Sequence, residues 1–232
     1  MSSQSQDRSI GSIRATVRAA FGIGVAAAAL VALAPAAQTA PVRQEVVPGC
    51  TPAAAGQPNG KQWATEPALT VDPAATYTAT LETTCGTIAL ELDAAAAPRT
   101  VNSFVFLAGE GYFDHTRCHR LTTDGIYVLQ CGDPTATGRG GPGYQFDDEN
   151  LAGAVYPAGT VAMANAGPGT NGSQFFLVYR DTHLPPNYTP FGRVTAGMEA
   201  LTTVANAGVR TGGPDGAPVA DVVFNTVTTV AS

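Results

Sequence analysis

The chain has 232 residues, of which 44% are hydrophobic and 13% charged, with a formal net charge of −6. This length supports one domain with a sizeable core plus additional segments. The acidic balance repels phosphate backbones and so argues against nucleic acid as a partner.

The first 40 residues differ from the rest. Arg8, Arg14 and Arg18 precede an uncharged run over 19–40 that carries Phe21, Ile23, Val25, Leu30, Val31 and Leu33. A basic flank followed by an apolar stretch is the pattern of a secretory signal or a single membrane anchor. Ala34-Pro35-Ala36 offers a cleavage site of the A-x-A kind, so 1–40 is expected to export the chain, whether cleaved or retained. Without it the chain keeps 9 basic and 17 acidic side chains, a net of −8. Residues 41–75 are rich in Pro, Ala and Gly with few apolar anchors and read as a linker.

From 76 onward, short elements follow one another. Thr78–Thr83 and Thr87–Asp93 alternate around a Cys85-Gly86 turn, with Ile88, Leu90 and Leu92 on one side, which predicts a half-buried hairpin. Pro98 opens a helix in which Val101, Phe104, Val105 and Ala108 recur at helical spacing, and Gly109 ends it. Short strands are expected at Arg117–Thr122, Ile126–Gln130, Thr160–Ala164, Ser173–Tyr179 and Pro190–Val194. A second helix is expected over Gly197–Ala207 with Met198, Leu201 and Val204 inward, and a last strand near Val219–Val230. Many short strands with two helices fit a mainly β fold, a closed antiparallel barrel.

An even set of four cysteines in an exported chain favours disulfides. Cys118 and Cys131 flank a predicted hairpin at its open ends, close enough to bond, which leaves Cys50 for Cys85. Four buried thiols, or a zinc site from His115, Cys118, His119 and Cys131, are the alternatives. Gly138, Gly140 and Gly143 spell G-x-G-x-x-G, but Gly141 and Pro142 stand where a helix would begin, so this is a loop and not a dinucleotide site. The sequons at Asn171 and Asn187 are expected to be idle.

The densest signal is 163–176, MANAGPGTNGSQFF. The small residues around Asn165 leave its amide and backbone open to another peptide backbone, and the Gly/Pro run that follows is neither helix nor central strand. This stretch resembles the signature of the cyclophilin-type peptidyl-prolyl cis-trans isomerases. Further blocks resemble that family in the same order: Cys118-His119-Arg120, then Gln130-Cys131-Gly132-Asp133, then ATGRGGPGY over 136–144, then Phe191-Gly192-Arg193-Val194 and Gly197-Met198-Glu199. The resemblance covers 76–232.

It implies an eight-stranded barrel with a helix at each open end, and prolyl isomerase activity with no cofactor and no metal. Its implied partners are proline-containing polypeptides, and it implies a monomer. In an exported chain that activity would assist folding outside the cytoplasm, either secreted or anchored to the membrane through 1–40. A proline-peptide binding module without activity, tethered at the cell surface, is the alternative. Arg120 matches the family's catalytic arginine, with Gln130 beside it. Ala164, Asn165 and Ala166 would hold the substrate backbone, with Gln174 closing that side and His119 also binding substrate, while Tyr127, Val128, Phe176, Leu184 and Tyr188 would line the proline pocket. The chain also departs from the family. Two extra residues separate Arg120 from Gln130, the 182–188 loop is one residue short with Tyr188 where a histidine is frequent, and the pocket tryptophan is absent. The missing indole bears on cyclosporin binding more than on turnover.

Overall fold

The computed structural model describes residues 46–232; the expected export segment over 1–40 lies outside them. Strands β1 (Tyr77–Thr83) and β2 (Gly86–Leu92) form the first hairpin, in register from Tyr77 opposite Leu92 to Thr83 opposite Gly86. Alternation decides the faces: Tyr77, Ala79 and Leu81 are buried, as are Ile88, Leu90 and Leu92 across the ladder. Helix α1 (Pro98–Gly109) follows, with Val101, Phe104, Leu107 and Ala108 buried. Its N-cap, Ala97, has no side chain to accept the first free amides. The carboxylate of Glu149, 50 residues away, takes the N–H of Arg99 at 3.0 Å and of Thr100 at 2.8 Å instead.

Strands β3 (Arg120–Thr122), β4 (Val128–Cys131), β5 (Thr160–Met163), β6 (Phe175–Val178) and β7 (Pro190–Ala196) continue the sheet. Helix α2 (Met198–Ala207) buries Ala200, Leu201 and Val204, and β8 (Asp215–Gly216) and β9 (Phe224–Ala231) complete the order. All pairings are antiparallel, and the strands lie in the order β8-β3-β4-β6-β5-β7-β2-β1-β9.

This differs from the closed eight-stranded barrel expected from the sequence: nine strands curl into an open sheet. The reason lies at the seam. The free edge of β3 is taken by β8, Leu121 facing Gly216 and Thr122 facing Asp215. On this side the start of β9 meets the residues before β3 instead, through Arg117 opposite Val223, Cys118 N–H to Val222 C=O at 2.9 Å and Phe224 N–H to Thr116 C=O at 2.9 Å.

The main core fills the concave side, with Phe104, Phe113, Phe175, Phe191 and Phe224 buried together. A second, smaller cluster of Val128, Tyr156, Ala162, Phe176 and Val178 forms on the opposite face. Residues 46–75 contribute no helix or strand, yet they lie along the domain: Cys50 is bonded to Cys85, and Asn102 Oδ1 accepts the N–H of Thr70 at 2.8 Å.

Candidate active site

Strand alternation builds the site. In β3, β4 and β6, Leu121, Leu129 and Phe175 enter the main core, so their neighbours Arg120, Gln130 and Phe176 must project from the opposite face. Register then sets them side by side, Arg120 opposite Gln130 and Gln130 opposite Phe176. Cys118 and Cys131, wholly buried, are bonded to each other at the base of this hairpin. Residues 123–127 form the bend of this hairpin, away from this register.

Arg120 is clamped. Its Nε–H and one Nη2–H donate to the two carboxylate oxygens of Asp215 at 2.8 and 2.7 Å, and an Nη1–H donates to Gln130 Oε1 at 3.2 Å. A guanidinium has five N–H donors, so one N–H on each terminal nitrogen is left for a ligand. The Asp215 bonds hold the arginine above its ordinary pKa despite burial, and the same bonds hold Asp215 below the usual carboxylate range. Gln130 Nε2 donates to Gln174 Oε1 at 2.9 Å, and Gln174 Nε2 donates to the Gly140 carbonyl at 2.9 Å. A hydrogen-bonded row thus runs from Asp215 through Arg120, Gln130 and Gln174 into the 135–143 loop.

That loop is organised by Asp133. Its buried carboxylate accepts the N–H groups of Thr135, Thr137, Gly138, Arg139 and Gly140 and the Thr135 hydroxyl. Burial pushes its pKa up, but these donors outweigh it and leave Asp133 below the ordinary carboxylate value. Gly140 must lack a side chain, since a Cβ there would sit 1.9 Å from Asp133 Oδ1. His119 packs beneath Gly138, half-buried and with neither ring nitrogen hydrogen-bonded; burial lowers its pKa, keeping it neutral.

On the other side of Arg120 lies the apolar cluster. Val128 and Phe176 are buried in it, with Ala164, Leu184 and Tyr188 packed against them. Phe176 meets the Tyr188 ring edge-on at 5.6 Å. Tyr156 fixes the 182–188 loop: its hydroxyl donates to the Tyr188 carbonyl at 2.8 Å and accepts the Tyr188 N–H at 3.1 Å. Asn165 Nδ2 donates to the Asn187 carbonyl at 2.8 Å, tying the signature loop to the same segment, and Ala166 N–H donates to Thr170 Oγ1. Among the described residues, no hydrogen bond uses the backbone N–H or C=O of Asn165, which leaves both for another chain.

The structure therefore brings together Arg120, Gln130 and Gln174 as one polar row and Val128, Phe176, Ala164, Leu184 and Tyr188 as one apolar patch beside it. Tyr127 stands apart. One residue before Val128, it turns the other way, its ring 6.0 Å from Tyr179 and beneath the Arg180 guanidinium. Sequence reasoning missed Asp215 and Tyr156. Asp215 sits in a Gly/Pro-rich turn 95 residues from Arg120, with no spacing to betray it; Tyr156 lies in an irregular segment outside any periodic pattern. The sequon at Asn171 is out of reach, since that residue is wholly buried and its amide donates to Asp148 at 2.8 Å. Among the described residues no cluster of His, Cys, Asp or Glu could hold a metal ion.

With this geometry in view, the chain matches the family model described as "Cyclophilin type peptidyl-prolyl cis-trans isomerase/CLD" over residues 78–229. It is similar to a protein of Mycobacterium leprae named "Probable peptidyl-prolyl cis-trans isomerase B". The two are 49% identical over 170 residues, covering 67% of this chain and 57% of that protein. A protein of Mycobacterium tuberculosis with the same name is also 49% identical, with 55% of its length covered. The chain thus spans little more than half the length of these relatives. Among solved structures, it resembles a Cryptosporidium parvum cyclophilin type peptidyl-prolyl cis-trans isomerase at a TM-score of 0.60 and 30% identity, over 68% of this chain and 99% of that one. The same Cryptosporidium protein, crystallised in the presence of the dipeptide Ala-Pro, matches at a TM-score of 0.59.

Proposed function

The chain belongs to the cyclophilin-type peptidyl-prolyl cis-trans isomerases, and we propose that it accelerates rotation about X-Pro bonds in exported proteins and so assists their folding. The observation that carries this reading is the placement of the clamped Arg120 guanidinium, with donors to spare, beside the apolar patch built on Phe176.

Rotation about a peptide bond costs about 18–20 kcal/mol because the nitrogen lone pair is shared with the carbonyl. Proline brings cis and trans to within about 0.5–1 kcal/mol of each other, yet exchange takes tens to hundreds of seconds. In the twisted state the lone pair returns to the nitrogen, which becomes a hydrogen-bond acceptor. The proline ring is held on Phe176, Val128, Leu184 and Tyr188. The Asn165 backbone grips the flanking chain as an added extended segment, its side chain being tied to Asn187, with Ala164 and Ala166 too small to block it. Arg120 then donates to the twisted nitrogen, a bond the planar amide cannot accept, and so favours the transition state over either ground state. A thousandfold acceleration would need about 4 kcal/mol of that preference. Gln130 orients the arginine, and Asp215 fixes its plane without occupying all its donors.

Redox chemistry supports a site of action outside the cytoplasm. Both disulfides join residues of the described domain, and such bonds persist in oxidising compartments outside the cytoplasm.

The test uses the full chain and an X-Pro peptide, with exchange measured by NMR. Acceleration is expected, and Arg120→Ala should lower kcat by about a hundredfold or more with KM changed by less than about threefold, since the arginine acts on the twisted state. Peptide binding with no acceleration in the parent chain would instead make this a proline-peptide binding module.

A further inference from the structure

The 135–143 loop is held from two sides, and Asp133 explains only one of them. Its carboxylate bonds reach as far as Gly140 and stop. Beyond lie Gly141, Pro142 and Gly143, and two glycines in three residues give this half of the loop large conformational freedom. What fixes it comes from residues 59–63. Gln62 Nε2 donates to the Gly141 carbonyl at 2.7 Å, and the Trp63 N–H donates to the Pro142 carbonyl at 2.8 Å. The approach is close: Gly143 has φ +92°, and a Cβ on it would lie 2.7 Å from the Trp63 carbonyl oxygen.

The strap is itself anchored. The Trp63 ring meets Phe106 of α1 edge-on at 5.1 Å and Tyr112 at 5.8 Å. Asn59 Nδ2 donates to the carbonyls of Glu110 and Gly111 at 3.0 and 2.9 Å. Residues 59–63 therefore connect the end of α1 to the outer half of the loop. That half forms part of the wall of a cavity of about 390 Å³, with Gln130, Ala164, Asn165, Ala166 and Thr170 forming others. The distance between these walls depends on where the strap holds Gly141 and Pro142.

We propose that Gln62 and Trp63 are positioning residues of the substrate groove, setting its width and hence its preference among polypeptide side chains flanking the proline. This rests on the isomerase reading above. The bonds that orient Arg120 run through Gly140, on the half held by Asp133. Loosening the strap should therefore alter binding and selectivity and leave the chemical step alone.

The experiment compares the full chain with Gln62→Ala, Trp63→Ala and Asn102→Ala. Asn102 is a control: its hydrogen bonds go to residues 67–71, not to the 59–63 strap or to the loop. The probes are tetrapeptides Xaa-Ala-Pro-Phe with Xaa as Gly, Ala, Leu or Arg, read by NMR exchange for kcat and KM and by NMR titration for Kd. Gln62→Ala should raise KM and Kd about two- to fivefold and Trp63→Ala about tenfold, with the ranking of Xaa changed and kcat within about twofold of the parent. Asn102→Ala should lower Tm yet leave KM and the ranking as they are. Unchanged KM, Kd and ranking in both strap variants would overturn the proposal. So would an equal change in Asn102→Ala, which would make the effect one of stability alone. Gln62 is exposed, so its variant keeps the test alive if Trp63→Ala does not fold. A parent chain that binds these peptides without accelerating exchange would sink the isomerase reading, while Kd would still decide the role of the strap.

Discussion

Asp215 accepts two charge-assisted bonds from Arg120 while remaining about half exposed, its side chain at 52%. An exposed pair of this kind contributes only about 0–1 kcal/mol to folding, so its value lies in orientation. Asp215→Asn keeps one acceptor and loses the charge. It should lower kcat about three- to tenfold, with Tm nearly unchanged and KM little affected, as read by NMR exchange. The pH profile follows from the same residues. Arg120 is held above its ordinary value, Asp215 and Asp133 below theirs, and His119 below the usual imidazole range. No group of the row then changes charge between about pH 6.5 and 8, and kcat/KM should be flat there. Stability should fall on the acid side. His119 resists protonation in the fold, so its contribution declines once pH drops below the unfolded value of about 6.5. The depressed carboxylates lose theirs only as pH falls through their folded values, below about 3.9. A kcat/KM that varied more than about twofold across pH 6.5–8 would mean that a titrating group had been overlooked.

Among the elements, α1 depends most plainly on a partner remote in sequence. Its cap residue, Ala97, supplies no acceptor, and Glu149 caps it from 50 residues away. Glu149→Ala should cost about 1–2 kcal/mol in denaturant unfolding. Glu149→Gln, which keeps an acceptor and loses the favourable charge at the helix N-terminus, should cost less. Equal costs for the two would show that charge rather than the bond does the capping. This dependence also marks how far the sequence could be read. Local periodicity exposed the β1–β2 hairpin and both helices, because alternation and the 3.6-residue repeat are properties of neighbours. It put Ile88, Leu90 and Leu92 on the buried face, as they are. The two-residue β8 has no period to show, and its presence on the edge of β3 keeps the sheet from closing as expected. Arg120, Gln130 and Phe176 could be picked out because a family motif surrounds each; Asp215 and Tyr156 could not, because only the fold brings them there. Tyr127, one residue before β4, packs against Tyr179 and Arg180, a placement that only the fold decides.

At the scale of the whole molecule, the segment that composition reads as a linker is bound to the domain along its described part, residues 46–75. Cys50 is joined to Cys85 at the first hairpin turn, Thr51 N–H donates to the Thr84 carbonyl at 2.6 Å, and Ala54 N–H donates to Asn225 Oδ1 at 2.9 Å. Composition misses this because the anchors are backbone groups and a few scattered side chains, Cys50, Asn59, Gln62 and Trp63 among them, which barely alter the share of Pro, Ala and Gly. The two disulfides divide the work. Cys118–Cys131 spans 13 residues and closes the hairpin that carries Arg120 and Gln130; Cys50–Cys85 spans 35 and fastens the strap. Each restricts the unfolded chain by about 3–4 kcal/mol on loop-entropy grounds. In a chain of this size each kcal/mol moves Tm by about 2–4 °C, so replacing either pair by serines should lower Tm by roughly 6–16 °C. The consequences for activity should differ. Cys50→Ser with Cys85→Ser frees only the start of the strap, leaving Gln62 and Trp63 in contact with the loop, and should spare kcat. The double variant Cys118→Ser with Cys131→Ser loosens the hairpin itself and should lower kcat as well. Protein collected from outside the cell should show no free thiol among its four cysteines by mass spectrometry. Four free thiols there would remove the oxidising compartment, and with it the reason for placing the proposed activity among exported clients.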